Sequence, residues 1–469
     1  MYRKHLLGEA DEEILKYISS LEEDKVIVRE VVEVLKAHVE GLMKEKVVPK
    51  EAALKIIEVL NSLLKDPTPL FNVEAEDVHE AIEVYLKSII GDDAGWLALG
   101  RSRNDHVASA LRIKVRRYLL KLLNEILKLR RKILNVASKN LNTIMPLHTH
   151  LQPAQVSTFA HYILGVEEIL TTYTKLIIAA IEDVVNYSPL GSAAIASSTV
   201  PIDRQYVASK LGFKGVVVNS LYATSSRDFL TIAASIVTCL SVSLSRIAED
   251  LIIYVTPQYN YLEVNPKHMS TSSIMPHKRN LVTMEIARAW AGEAIGHLVS
   301  ILSIIKGIPS GYNLDLQEAN KHVVRVFEKT IDTVRVLGDL ISNVKPNVKR
   351  LTEDSKKYPL TVTELAEYLS LKLNIPYRKV HERLAKVIRE SKRKKDLVNN
   401  VAKEFNIKTE EVLKVLNTRR TLSRKVAIGS PNPKVLAENL RFYQEALRDD
   451  ERCYVEILKR CGDEKSINT

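Results

Sequence analysis

The chain has 469 residues, of which 46% are apolar and 6% aromatic, with only 16 Gly and 16 Pro. This composition is typical of a largely helical globular protein of about three domains, and it argues against a β-sandwich or a disordered chain. The net charge of +11 comes from Lys and Arg that alternate with Asp and Glu, a pattern that argues against a nucleic-acid surface and suits a substrate with several carboxylates.

The sequence predicts an all-α fold in three parts. Residues 1–105 read as short helices interrupted by prolines and by the Gly-Asp-Asp-Ala-Gly turn at 91–95, and they are predicted to form an N-terminal helical domain. Residues 106–355 are predicted to form a central domain of long helices. Residues 356–469 read as shorter amphipathic helices and are predicted to form a small C-terminal helical domain.

Three long helices are predicted in the central part, because apolar residues recur in steps of three and four over residues 115–136, 240–254 and 284–305. Helices of this length bury their apolar stripes against each other, within one chain or between chains, so we predict a bundle that can assemble into an oligomer. The second stripe lies in a stretch without charge between Asp228 and Arg246. Because the helical pattern continues through Glu249, we expect a buried helix there and no membrane span.

Targeting and redox state also follow from the sequence. The first five residues lead into charged sequence rather than into an apolar segment, so no secretory signal is expected. Three cysteines are an odd number without metal-ligand spacing, which argues against a secreted disulfide framework and against a zinc site. We therefore expect a cytoplasmic protein without a structural metal.

Four polar segments stand at the ends of the predicted long helices: residues 101–105, 148–155, 225–228 and 271–280. The last of these combines hydroxyls, a proline, Lys278 and Asn280 before a helix, which suits the binding of a carboxylate. Each segment also has a simpler interpretation, because Ser, Asn and Asp cap helices and a single His is more often structural than catalytic. A bundle that gathers several of these ends in one cleft favours the functional interpretation.

These segments carry a resemblance to a known family. Residues 272–280 match the pattern Ser-Ser-x-Met-Pro-x-Lys-x-Asn, which is similar to the signature of the fumarase, aspartase and adenylosuccinate lyase superfamily. Within that superfamily the chain most resembles the argininosuccinate lyases. The sequence motifs that favour the argininosuccinate lyases are Gly-Arg-Ser-Arg-Asn-Asp at 100–105, Thr-His-Leu-Gln-x-Ala-Gln at 149–155, Lys-Gly-Ile-Pro at 306–309 and Tyr-Asn-x-Asp-Leu-Gln-Glu at 312–318.

The resemblance implies a reversible elimination without a cofactor, in which argininosuccinate is split into arginine and fumarate. It implies that Ser272 is the base and that Lys278 and Asn280 hold the carboxylates of the fumarate part. His150 is implied as the candidate acid, oriented by Glu285. The chemistry is consistent with these roles, because a serine can act as a base only where backbone donors and a nearby cation stabilise its alkoxide.

The resemblance also implies an assembly and further substrate contacts. The family forms homotetramers in which each active site is built from three chains. The implied substrate contacts are Ser20, Asp24, Ser102, Arg103, Asn104, Thr149, Arg227, Tyr312 and Gln317. No metal ligand is implied.

Some residues depart from the family pattern, and two alternatives therefore stay open at this point. The departures are Ala75, Trp96, Ala98, Tyr222 and Asn320, and they affect neighbouring contacts rather than the elimination machinery. One alternative is an adenylosuccinate lyase or another relative that releases fumarate. The other is an inactive structural homologue of the crystallin kind, against which the retention of Ser272 and Lys278 argues.

Overall fold

The computed structural model describes residue 8, residues 11–357 and residues 359–463. The N-terminal residues on which the absence of a signal was argued lie outside these ranges. The helices are α1 Glu12–Ile18, α2 Val28–Lys44, α3 Lys50–Lys65, α4 Val78–Ile90, α5 Arg103–Lys139, α6 Phe159–Ala180, α7 Arg204–Lys210, α8 Ser220–Ser225, α9 Asp228–Val255, α10 Val282–Ile305, α11 Asp315–Glu318, α12 Asn320–Asn343, α13 Val348–Lys357, α14 Val362–Leu373, α15 Tyr377–Glu390, α16 Lys394–Phe405, α17 Thr409–Val415, α18 Thr418–Arg424 and α19 Pro433–Cys461.

Short strands connect some of these helices. They are β1 Ile144–Thr149, β2 Gln152–Thr158, β3 Tyr187–Ser188, β4 Gly215–Val216, β5 Leu262–Glu263, β6 Ser270–Thr271, β7 Arg279–Asn280 and β8 Lys345–Pro346. They pair two by two as β1 with β2, β3 with β4, β5 with β8 and β6 with β7. The predicted all-α class is confirmed, because these pairs are small additions to a helical body.

The three predicted long helices are present as α5, α9 and α10. Helix α5 begins where Ser102 accepts the N–H of Asn104 and Asp105 accepts the N–H of Ser102, a reciprocal capping box that fixes the first turn. Two further long helices, α6 and α12, complete the bundle: α6 packs on α5 and α9, and α12 packs on α5, α9 and α10. Each long helix therefore has a buried stripe facing the others.

Helix α9 contains the uncharged stretch between Asp228 and Arg246 that resembles a membrane span. By length and composition it is the one helix of the described ranges that passes such a test. In the bundle its apolar face, which includes Phe229, Val237 and Leu244, is buried against neighbouring helices. This is the arrangement of a core helix.

The hydrophobic core is distributed in a way that the three-part division does not describe. One continuous cluster includes α2 to α4, the long-helix bundle and, through Leu436, Leu440 and Leu447, the last helix α19. A separate small cluster joins α14 to α17. The boundaries at residues 105 and 355 stay a prediction, and α19 packs on α5 and α6 of the central bundle.

The segment that follows α5 was expected to be a polar connection, and the structure has an antiparallel hairpin there. Strands β1 and β2 pair from Ile144 with Thr158 to Thr149 with Gln152, with a register shift beside Leu147. The two residues at the tip, His150 and Leu151, have positive φ angles of 54° and 59°. A two-residue turn of this kind matches the right-handed twist of the strands, which is the reason that it can place His150 at the tip.

Candidate active site

The segment with the superfamily signature is a small hairpin. Ser270 and Thr271 pair with Asn280 and Arg279, so that residues 272–278 form the loop between the two short strands. The Oγ of Ser272 accepts hydrogen bonds from the backbone N–H of Ile274 at 3.3 Å and of Met275 at 3.0 Å. Two donors aimed at one hydroxyl oxygen stabilise negative charge on that oxygen, as an oxyanion hole does.

The other residues of this segment lie around the loop and at the start of α10. The Lys278 side chain is exposed and has no ion-pair partner among the described residues, so its charge is available to a ligand. Asn280 is half-buried in β7, and Glu285 is half-buried in the first turn of α10. The structure thus brings Ser272, Lys278 and Asn280 together on one hairpin.

Thr149 and His150 lie on a different part of the molecule, at the exposed tip of the β1–β2 hairpin. The middle of this hairpin is held against the C-terminal helices, where Gln155 donates to Glu364 at 3.3 Å. In the part of one chain that the structure describes, no hydrogen bond or ion pair joins His150 to Ser272 or Glu285. A single chain therefore does not bring the predicted acid into contact with the predicted base or its orienting carboxylate.

A third group of predicted residues meets between the N-terminal helices and α5. Ser20 donates to Asp24 at 2.9 Å, and the N–H of Val78 donates to the same carboxylate at 3.3 Å. Burial raises the pKa of Asp24 to about 6, against the effect of these two donors. Asp24 is therefore mostly ionised at neutral pH and takes up a proton when the pH falls to about 6.

An ion pair between Arg103 and Asp77 lies next to this group. Nη1 of Arg103 donates to Oδ2 of Asp77 at 2.7 Å, and Asp77 also caps helix α4 by accepting the N–H of Glu80. Asp77 was not predicted as a site residue, because the sequence shows it only as a good helix cap. Ser102 caps α5, and Asn104 donates to the carbonyl of Ala194 at 2.8 Å, so both belong to the same helix entrance.

Tyr312, Gln317 and Arg227 border this group. The Tyr312 hydroxyl donates to Oε1 of Gln317 at 3.3 Å. The Arg227 side chain is fully buried and bonds the carbonyls of Thr224 and Ser226, whereas its Nε has no partner. Burial lowers the pKa of Arg227 to about 10, with a smaller opposing effect from Tyr312. A buried guanidinium with an unused donor is suited to bind a carboxylate.

One electrostatic effect shows that these residues share one environment. Burial raises the pKa of Tyr312, and the charges of Arg227, Asp77, Asp24 and Arg103 also act on it. The structure thus brings most predicted substrate contacts together within one chain, on four separate segments of sequence. Across the described ranges, no three His, Cys, Asp or Glu side chains are placed to hold a metal ion.

Comparison with known sequences assigns the family. A family described as Lyase matches residues 5–296, and one described as Argininosuccinate lyase C-terminal matches residues 359–423. The argininosuccinate lyase of Pyrococcus furiosus is 44% identical over 97% of each chain. The chain belongs to the argininosuccinate lyase family. The argininosuccinate lyase of Sulfolobus acidocaldarius is similar too, at 41% identity over 96% of this chain and 93% of that protein.

Solved structures place this argininosuccinate lyase family member in a wider fold. An EDDS lyase in complex with formate superposes with a TM-score of 0.86 at 23% identity, over 95% of this chain and 91% of that one. A class II fumarase from Schistosoma mansoni superposes with a TM-score of 0.72 at 15% identity, over 84% and 90% of the two chains. At these identities the similarity establishes the fold alone, which is that of the fumarase and aspartase superfamily.

Proposed function

We propose that the chain catalyses the reversible elimination of argininosuccinate to L-arginine and fumarate, as in arginine biosynthesis. The observation that carries this proposal is the similarity of almost the whole chain to argininosuccinate lyases, including a C-terminal segment specific to that family. The site chemistry supports it, because the elimination needs a base, cations for carboxylates and a proton donor, and the candidate residues supply all three.

Ser272 acts as the base in this proposal. It removes a proton from the carbon next to a carboxylate, and the resulting negative charge spreads into that carboxylate before the C–N bond breaks. A serine alkoxide forms at neutral pH only if its charge is strongly stabilised, and the two N–H donors at 3.0 and 3.3 Å support this. Lys278 and Asn280 bind the carboxylates of the fumarate half.

His150 is the candidate acid that protonates the departing guanidino nitrogen, with Thr149 beside it as a substrate contact. Glu285 orients His150 in this proposal. We propose that His150, which lies at an exposed hairpin tip, serves the site of another subunit rather than that of its own chain. The other substrate contacts are Ser20, Asp24, Ser102, Arg103, Asn104, Arg227, Tyr312 and Gln317.

We propose that the protein is a homotetramer with shared active sites, and the separation of His150 from Ser272 within one chain supports this proposal. The bundle leaves apolar side chains exposed on one side of α10, namely Ile295, Val299 and Leu302, which are 47%, 56% and 47% exposed. Helix α9 adds Ile232 and Val242 to the exposed apolar surface. We propose that copies of the same chain cover these faces, because rigid helices of this length bury exposed stripes against other long helices.

We propose that the reaction takes place in the cytoplasm. All three cysteines, Cys239, Cys453 and Cys461, are free thiols, which agrees with a reducing compartment. We also keep the three-domain division at residues 105 and 355 as a proposal.

One assay tests the function. The purified protein is incubated separately with argininosuccinate and with adenylosuccinate, and the release of fumarate is followed. We expect turnover with argininosuccinate only. Turnover with adenylosuccinate alone would replace the proposed substrate, and no turnover with either would favour a structural role.

A further inference from the structure

A chain of three buried side chains lies next to the candidate substrate site. Nη1 of Arg101 is 2.7 Å from Nδ1 of His106, and Nε2 of His106 is 2.6 Å from Nδ1 of His79. The two imidazole rings lie 4.4 Å apart between centroids. His106 is completely buried in the first turns of α5, and His79 is almost completely buried in the first turn of α4.

The order of these contacts determines where the protons are. A guanidinium can only donate hydrogen bonds, so Nδ1 of His106 must be an acceptor and the proton of neutral His106 must be on Nε2. That Nε2–H then donates to Nδ1 of His79, so the proton of neutral His79 must also be on its Nε2. Each residue thus dictates the tautomer of the next.

Arg101, the donor to His106, is held in place by two further contacts. Nη2 of Arg101 pairs with Oε1 of Glu83 at 2.6 Å, and its Nε donates to the carbonyl of Leu97 at 2.7 Å. Burial lowers the pKa of His79 to about 4 and that of His106 well below its ordinary value, and the nearby arginines act in the same direction. Both imidazoles are therefore uncharged near pH 7.

His79, the last of these three side chains, lies beside the substrate contacts. His79 follows Asp77, which holds Arg103, and Val78, whose N–H donates to Asp24. Among the described residues, Nε2 of His79 has no hydrogen-bond acceptor. An N–H donor without an acceptor at a site built for a polycarboxylate is suited to an anionic oxygen of the ligand.

We propose that Arg101 and His106 are positioning residues, which hold His79 as the neutral Nε2–H tautomer and so give the substrate site one hydrogen-bond donor for an anionic oxygen. This inference rests on the proposed function for the identity of the ligand. The tautomer itself is a property of the free protein and can be tested without substrate.

The first experiment compares two substitutions of His106. The amide of His106→Gln can still accept from Arg101 and donate to His79, whereas His106→Leu can do neither. We expect His106→Gln to keep the wild-type KM for argininosuccinate within about threefold, and His106→Leu to raise it by about tenfold with a much smaller change in kcat. Equal effects of the two substitutions, or a loss confined to kcat, would overturn the positioning role.

The second experiment observes the tautomer directly, by solid-state nitrogen NMR of protein labelled only in histidine. At about pH 5 exposed histidines are protonated, so the remaining neutral signals belong to buried ones, and a His79→Gln variant identifies the signal of His79. We expect His79 in the wild type to be neutral with its proton on Nε2. We call the fixing of tautomers from Arg101 through His106 to His79 the relay. A proton on Nδ1 of His79, or a charged ring, would contradict the relay even if His106→Leu does not fold.

The two proposals can fail separately. If the wild-type protein releases no fumarate from argininosuccinate, the proposed function is wrong, and the nitrogen spectrum still decides whether the relay exists. If fumarate is released and the spectrum shows the other tautomer, the relay is wrong and the function stands.

Discussion

At the scale of single residues, the hydroxyl of Ser272 is weakly acidic and must lose its proton to serve as a base. Its oxygen already accepts two backbone N–H groups of its own loop, and Lys278 lies at the other end of that loop. Backbone donors are fixed by the hairpin and do not need to reorganise when the charge forms. This preorganisation is the property that distinguishes Ser272 from an ordinary exposed serine.

Substitution of Ser272 tests this role. We expect Ser272→Ala to lower turnover by at least about a thousandfold, as is usual for a principal catalytic group, without a change in the melting temperature. The matched control is Ser270→Ala, two residues earlier on an exposed strand. Turnover in Ser272→Ala equal to that of the control would refute the assignment of the base.

A pH dependence is expected from Asp24. Because burial raises its pKa to about 6, the carboxylate takes up a proton as the pH falls through that value and its charge is lost to the substrate. We therefore expect kcat/KM to decrease with one proton below about pH 6. In Asp24→Asn the absolute value is lower and this decrease is absent, which a pH profile of initial rates can measure.

Stability gives an independent check of the same group. The pKa of Asp24 in the folded state is above its ordinary value of 3.8, so the folded state is favoured in acid and this advantage is lost as the pH rises through about 6. Asp24→Asn should accordingly be at least as stable as the wild type at neutral pH. A large loss of stability there would mean that the ionised carboxylate is structural.

At the scale of elements, the β1–β2 hairpin holds a candidate site residue in a strained backbone conformation. His150 and Leu151 both adopt left-handed conformations, which residues with a Cβ rarely do. Asn-Gly is the pair that such a turn prefers, and this chain has His-Leu instead. The strain is retained where a candidate catalytic residue must be held at an exposed tip, which is common at functional sites.

Substitution of Leu151 can relieve or increase this strain. Leu151→Gly should stabilise the hairpin by about 1 kcal/mol, because glycine has no penalty at positive φ, and Leu151→Val should destabilise it. Hydrogen exchange of the hairpin amides, for example at Leu147 and Gln155, measures the local effect. Slower exchange in the valine variant than in the glycine variant would contradict the expectation.

At the scale of the whole molecule, buried ion pairs attach the last helix to the bundle. Arg130 of α5 pairs with Glu167 of α6 at 2.7 Å and with Asp450 of α19 at 2.6 Å, and the Arg130 and Glu167 side chains are fully buried. Asp463, just after α19, pairs with Arg116 and Arg117 at 3.0 and 2.8 Å. A buried charge that loses its partner is costly, so these contacts determine where the C-terminal helix is held.

Arg130→Met tests this attachment. We expect it to lower the free energy of unfolding by about 3–5 kcal/mol, because Glu167 and Asp450 lose their common partner. The loss should be smaller in acid, since burial raises the pKa of Glu167 to about 7 and the group can become neutral. Arg131→Met, which breaks the neighbouring surface pair with Glu451, should cost less than about 1 kcal/mol in the same urea titration.

The proposed tetramer can be tested by complementation. Ser272→Ala and His150→Asn should each be inactive, and a mixture of the two that is dissociated and reassembled should regain activity. Some sites of the hybrid tetramers then contain only intact segments from different chains. Hybrids that form by mass measurement but stay inactive would mean that Ser272 and His150 act within one chain, and a monomer in solution would exclude shared sites.

The sequence by itself determined the long helices and the short polar segments at their ends. Apolar side chains at steps of three and four over many turns bury only as a helix, so the positions of α5, α9 and α10 followed from local pattern. Helices α6 and α12 carry the same kind of stripe and were not predicted. The signature at residues 272–280 identified Ser272 and Lys278 because it is one continuous segment.

Only the tertiary structure decided which distant segments meet. The contact of Arg103 with Asp77, the approach of Tyr312 to Arg227 and the return of α19 to the central bundle all depend on packing between segments far apart in sequence. The β1–β2 hairpin also escaped prediction, because its turn uses His-Leu in a conformation that favours Asn-Gly. The apolar pattern of a segment indicates which of its side chains are buried. Which other segment covers those side chains depends on long-range packing, which no short segment encodes.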